Sequence, residues 1–195
     1  MEERLIKVGI THGDINGIGY EVILKTFSDA RVAELCTPVI YGSSKIAAYH
    51  RKALELPPVN MNIISQAEDA DIKKVNIINC VDDETKVELS QSTSIAGEAA
   101  FLALEAAVTD LKRGAVDVLL TAPINKHNIQ NDQFHFPGHT EYLEERFGGV
   151  GRKALMILMK DGLRVALVTG HIPLAEVPSR ITVEDIVPKL RIFNQ

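Results

Sequence analysis

The stretch LIKVGITHGDINGIGYEVIL, residues 5–24, decides the fold. Leu5 to Ile10 is a short apolar run, Thr11 to Gly19 is a loop carrying Gly13, Gly17 and Gly19, and Tyr20 to Phe27 has the spacing of a helix. A buried strand that passes through a glycine-rich loop into a helix is the opening unit of a βα chain. The amides of such a loop, with a helix N-terminus behind them, favour an anion. The spacing is neither G-x-G-x-x-G, because Val22 stands where the third glycine is needed, nor a Walker A loop, which needs Gly-Lys-Ser/Thr. A plain strand-to-helix turn accounts for it as well. Asp14 in this loop can cap backbone, bind a substrate hydroxyl or face water.

Outward from this unit the alternation continues. Pro38 to Tyr41 reads as a second strand, and Ser43 as the N-cap of a helix running to Leu56. Val59 to Ile64 and Val75 to Val81 are further strands. Ile95 to Lys112, rich in Ala, Leu and Glu, is a helix closed by Gly114. Val116 to Thr121 is a continuous apolar run of the kind covered on both faces of a parallel sheet. Thr140 to Phe147 reads as a short amphipathic helix. Ala154 to Lys160 and Leu163 to Thr169 flank Asp161-Gly162, a hairpin turn that makes the sheet mixed. Thr182 with Asp185 resembles a capping box. The last helix, Asp185 to Gln195, stops without a C-cap or a closing strand. It is read as the edge of a fragment of a longer protein, with a natural terminal helix as the alternative.

Composition excludes several classes. Of 195 residues, 46% are hydrophobic and 24% charged, which is the balance of a soluble globular domain and not of a disordered chain, a coiled coil or a fibre. Aromatics make up 5%, and 21 Lys and Arg face 26 Asp and Glu, a net charge of -5. Without clustered positive charge or stacking platforms, nucleic acid is not the expected partner. Cys36 and Cys80 form no CxxC spacing and suit a reducing compartment. The N-terminus is unlike a signal peptide, and runs such as Ala154 to Met159 are far shorter than the roughly 20 residues of a membrane span. A soluble, cytoplasmic protein is expected.

Three later clusters join the first loop as places for chemistry. Thr121 to Lys126, TAPINK, ends the most apolar strand, where ligands of open α/β sheets collect, and Lys126 can set an ammonium there. A solvated loop lysine is the alternative. Pro137 to Glu141, PGHTE, puts His139 and Thr140 at a helix start, suited to a phosphate or carboxylate, with Thr140 as a simple N-cap on the other reading. Val168 to Leu174, VTGHIPL, puts His171 between Gly170 and Pro173 past a strand, suited to metal ligation or proton transfer or to a structural role. His12, His50, His127 and His135 show no mutual ligand spacing, and His50, inside a helix, reads as structural.

Taken in order, these four clusters resemble the 4-hydroxythreonine-4-phosphate dehydrogenase family of pyridoxine biosynthesis. The family pattern runs T-x-G-D-P-A-G-I-G-P-E, then T-x-P-x-x-K, G-H-T-E and T-x-H-x-P-L. This chain matches at Thr11, Gly13, Asp14, Gly17 to Gly19 and Glu21, then at Thr121, Pro123, Lys126, Gly138 to Glu141, Thr169, His171, Pro173 and Leu174. It departs at Ile15, Asn16 and Tyr20, where the pattern has Pro, Ala and Pro. The resemblance implies an α/β fold like that of isocitrate and isopropylmalate dehydrogenases: a mostly parallel sheet with an antiparallel hairpin and helices on both faces. Residues 1–195 would then be the N-terminal part of a two-lobed enzyme whose C-terminal half lies outside this chain.

It further implies NAD-dependent oxidation of a phosphorylated hydroxy-amino acid, a divalent metal (zinc, magnesium, manganese or cobalt) and a homodimer at full length. His139 and Thr140 match the substrate-binding pair, His171 the first of three metal-binding histidines, and Asp14 is carried as a substrate contact. Lys126 is the candidate catalytic residue, as a proton carrier or a phosphate contact. Most of the cofactor site falls in the other half. Two other readings stay open: a sister dehydrogenase of a phosphorylated four-carbon sugar acid, and a non-catalytic binding or assembly module.

Overall fold

The computed structural model describes residues 5–149 and 153–194. The chain divides into two compact units, residues 1–142 and 143–195. The expected end of the last helix at Gln195 lies outside the described residues.

The first unit is built on five parallel strands: β1 (Lys7–Thr11), β2 (Thr37–Gly42), β3 (Met61–Ile64), β4 (Val75–Asn79) and β5 (Val118–Thr121). Their order across the sheet is β3-β4-β2-β1-β5. Between them run α1 (Gly19–Phe27), α2 (Val32–Leu35), α3 (Ser44–Ala53) and α4 (Ser94–Lys112). β2 is buried at every residue because both faces are covered. Ile40 packs with Ile23 and Phe27 of α1, while Val39 and Tyr41 on the opposite face pack with Ala103 and Ala107 of α4. The alanines let α4 lie close to the sheet, and the Tyr41 hydroxyl crosses that contact to donate to Asp110 Oδ2 at 2.7 Å.

The helix starts are capped by hydroxyl side chains, at Ser43 as expected and at Thr93, which the sequence reading did not name. Ser43 Oγ accepts from Ile46 N at 3.3 Å, and Thr93 Oγ1 from Ala96 N at 3.2 Å. Gly114, with φ 75°, ends α4 in the left-handed conformation expected of a residue just past a helix.

β5 differs from expectation. It is an edge strand of this sheet, and only one of its faces is covered: Leu119 packs toward the α4 side, but Val118 is 45% and Leu120 53% exposed. The register Val8↔Val118 and Ile10↔Leu120 puts these two residues on the side that α1 covers over β1. A helix spans only so many strands, and the apolar run cannot reveal that its strand lies past the helix's reach.

The second unit begins within α5 (His139–Phe147) and holds β6 (Ile157–Lys160), β7 (Leu163–Ala166), α6 (Val177–Arg180) and α7 (Val183–Phe193). The Asp161-Gly162 hairpin forms, with Ile157↔Ala166 and Lys160↔Leu163 paired antiparallel. It is its own two-stranded sheet and does not make the parallel sheet mixed. Thr182 Oγ1 caps α7 by accepting from Asp185 N at 3.1 Å, so this helix starts two residues before its expected beginning. Among the described residues, no helix is long and apolar enough to cross a membrane.

Candidate functional site

At the carboxyl ends of β1 and β5, where parallel sheets leave a crevice for ligands, the first two motifs interlock. Gly13 (φ 70°) lies so close to the β5 loop that a Cβ there would stand 2.2 Å from the Pro123 carbonyl oxygen. Asp14 N donates to that same oxygen at 2.9 Å. A glycine is therefore required at position 13 on two counts, its left-handed conformation and the approach of a second backbone. Asp14 is buried, and its Oδ1 accepts from Asn16 N at 2.9 Å.

The second and third motifs meet as well. The Lys126 side chain lies along Gly138: a Cβ placed on that glycine would be 3.6 Å from Lys126 Cε and 3.9 Å from its Nζ. The same point is 3.7 Å from Glu141 Oε2. The Gly138 carbonyl accepts from Tyr142 N at 3.3 Å, so α5 opens at His139 with Gly138 in the capping position. This corrects the N-cap reading of Thr140, which sits exposed inside the first turn. His139 is half-buried, and its Nε2 has no hydrogen-bond partner among the described residues. Burial, and then the Lys126 ammonium, hold His139 below the ordinary imidazole range. Its unpartnered nitrogen can accept or donate, beside an ammonium and a helix N-terminus that favour an anion and the Glu141 carboxylate that opposes one.

The fourth motif lies in the second unit. His171 is exposed and takes a left-handed backbone conformation, φ 54°. Among the described residues no three His, Cys, Asp or Glu side chains gather as a metal site. One imidazole does not complete the coordination of a divalent ion, so the described residues do not by themselves fit a metal.

Two features were not singled out from the sequence. His12, fully buried, stacks on Tyr20 at 5.2 Å between ring centroids, and Tyr20 stacks on His50 at 5.2 Å. The positions 12, 20 and 50 share no spacing that betrays this. His50, structural as expected, bonds through Nε2 to the Ile15 carbonyl at 2.7 Å. Neither ring nitrogen of His12 has a hydrogen-bond partner of normal geometry among the described residues, and burial pushes its pKa down to about 4. The second feature is the segment before α4. Asn125 Nδ2 donates to Ser92 Oγ at 3.2 Å, and Asn16 reaches Gln91 and Thr93. The only signal for it in the sequence was that Asn16 breaks the family pattern.

A family described as "Pyridoxal phosphate biosynthetic protein PdxA" matches residues 34–195. A 4-hydroxythreonine-4-phosphate dehydrogenase of Bacteroides thetaiotaomicron is 57% identical over 195 residues, covering 100% of this chain and 53% of that protein. A Clostridium botulinum relative, 30% identical over 92% of this chain and 54% of its own length, carries D-threonate 4-phosphate dehydrogenase as its proposed name. Among solved structures, a 4-hydroxythreonine-4-phosphate dehydrogenase from Burkholderia phymatum superposes with a TM-score of 0.86 at 28% identity, covering 98% of this chain and 58% of that one. The chain thus spans about half the length of the curated relatives it matches.

Proposed function

The chain belongs to the PdxA family of pyridoxal phosphate biosynthetic proteins, and on that premise we propose that it supplies the substrate-holding part of an NAD-dependent dehydrogenase of 4-phosphooxy-L-threonine. The observation that carries this reading is the meeting of Lys126 with the start of α5 across Gly138, which gathers an ammonium, an imidazole whose protonation is disfavoured and a helix N-terminus, with the Glu141 carboxylate beside them. In the reaction, the carbon bearing the secondary hydroxyl gives its hydrogen to NAD as hydride while the hydroxyl gives its proton to a base, leaving a ketone. The β-keto acid that results loses CO₂, since the electrons of the breaking bond pass into the neighbouring carbonyl. NAD carries the redox chemistry, and the chain's own part is position and charge.

In this scheme His139 and Thr140 hold the substrate, and Lys126 neutralises its phosphate or carries a proton. The Asp14 carboxylate accepts from the substrate's amine or hydroxyl. His171 is assigned as one ligand of a divalent ion, zinc, magnesium, manganese or cobalt, whose other ligands are not among the described residues. A homodimer in the cytoplasm suits the family resemblance and the two free thiols, Cys36 and Cys80.

The test is NADH production from 4-phosphooxy-L-threonine by a family-length enzyme containing this sequence, with Lys126→Met as the variant. Loss of most turnover is expected, and unchanged kinetics would remove Lys126 from the site. The name of the Clostridium relative favours a second substrate, D-threonate 4-phosphate. Turnover of the two compounds side by side separates the readings.

A further inference from the structure

We propose that Asn16 is a positioning residue for the candidate substrate site: it clasps three loops together so that the Asp14 carboxylate is held in one orientation. The proposal rests on the substrate-site reading above, and four of its observations are hydrogen bonds at a single buried residue. Asn16 Nδ2 donates to the Gln91 carbonyl at 2.9 Å and to Thr93 Oγ1 at 3.1 Å. Its Oδ1 accepts from Glu88 N at 2.7 Å, and its backbone carbonyl from Ser90 N at 2.9 Å. Both hydrogens and the oxygen of the amide are engaged, which neither Asp nor a hydroxyl residue can reproduce.

These bonds close a circuit. From Asn16 the chain of contacts runs to Gln91 and Thr93, through the adjacent Ser92 to Asn125 Nδ2 at 3.2 Å, and along the backbone to Pro123. It returns from the Pro123 carbonyl to Asp14 N at 2.9 Å, and Asp14 Oδ1 accepts from Asn16 N at 2.9 Å. The loop after β1, the loop after β5 and the segment leading into α4 are thereby fixed to one another at the carboxyl end of the sheet.

The opposite flank of the loop is pinned too. The Ile15 side chain is fully buried, its carbonyl takes the 2.7 Å bond to His50 Nε2, and Tyr20 stands between His12 and His50 with its hydroxyl accepting from Ser43 N at 2.8 Å. Ile15, Asn16 and Tyr20 are the three positions that depart from the proline-bearing family pattern. Proline stiffens a loop by restricting φ. Here side-chain bonds and stacked rings do that work, and Asn16 is the member that reaches across to the other loops.

Two measurements on the 195-residue chain test this, with Asn16→Ala, Asp14→Ala and the double variant. The first is amide hydrogen exchange at Ser90 and Asp14, whose bonds run to backbone oxygens that survive the Asn16 substitution. Exchange at least about tenfold faster at both amides in Asn16→Ala, with β2 amides unchanged, is expected. Unchanged exchange overturns the clasp. The second is calorimetric titration with 4-phosphooxy-L-threonine. Each single variant should weaken binding about tenfold, and the double variant should be no worse than either, because both act on one carboxylate. Additive losses, or full affinity in Asn16→Ala beside weakened Asp14→Ala, overturn the positioning role and leave the substrate site standing. Full affinity in Asp14→Ala removes Asp14 from the site instead, whatever the exchange rates show. If the unmodified chain takes up none of the compound, the substrate reading fails for this chain and the exchange rates decide the clasp.

Discussion

His139 and His12 are two imidazoles kept neutral by burial, with opposite consequences. His139 keeps a nitrogen without a hydrogen-bond partner among the described residues, at the start of α5 beside Lys126, so its substitution should register in catalysis. In a family-length enzyme, His139→Ala should lower kcat/KM at least about tenfold, or about 1.4 kcal/mol of transition-state binding. Unchanged kinetics in both His139→Ala and Thr140→Val would take the pair out of the site. His12 should instead register in stability. An unfolded chain protonates its imidazole as the pH falls below about 6.5, whereas the folded one holds out to about 4. Folding stability is therefore complete above pH 6.5 and declines as the pH falls through that window, by roughly 3 kcal/mol in all. His50, also lowered by burial, adds to the decline in the same direction. Thermal melts from pH 7.5 to 4 should show a clearly shallower slope for His12→Met, and an identical slope would mean that this ring is not the group responsible. At this scale the motif residues were legible because chemistry restricts which side chains hold an anion. The ring stack was not, since it joins three positions that only the fold brings together.

Elements differ in how much of their environment the sequence carries. α4 was readable nearly to the residue because its Ala, Leu and Glu content and the Gly114 that closes it are local to the element, whereas its Thr93 cap went unread. The exposed face of β5 was not, because burial there depends on what lies beside the strand. The left-handed glycines Gly13 and Gly114 give a test of local against tertiary constraint. Around Gly114 nothing lies within 4 Å of an added Cβ, so Gly114→Ala should cost about 1 kcal/mol, the conformational penalty alone. At Gly13 the same substitution also drives a Cβ to 2.2 Å from the Pro123 oxygen. Its cost should be well above that, about 3 kcal/mol, with Asp14 displaced as well. Denaturant midpoints of the two variants settle the comparison, and equal losses would show that the β1 and β5 loops do not touch as described.

For the molecule as a whole, apolar surface is the telling property. Val118 and Leu120 in the first unit, and Leu158, Met159 and Leu163 of the hairpin in the second, are all exposed. Exposed apolar clusters of this kind mark surfaces made to be covered. The 195-residue chain alone should therefore self-associate or bind hydrophobic dyes and should not reduce NAD. A monodisperse, dye-silent sample would contradict this. It should also hold divalent ions weakly, and His171→Ala should change that little, as metal analysis after dialysis against a mild chelator would reveal. Tight, His171-dependent retention by this chain would mean that its own residues complete a site.

The pairing of β1 with β5 has a consequence in time. Val8 and Val118 are neighbours in the sheet although about 110 positions apart in the chain. During synthesis β1 can join β2 early, but its other edge waits for most of the first unit to emerge, and closing so long a loop is slow. Until then the backbone groups along that edge are open to a neighbouring nascent chain. The loops around Asp14 and Pro123 are sealed in the same event, so this part of the ligand site cannot form before β5 has paired.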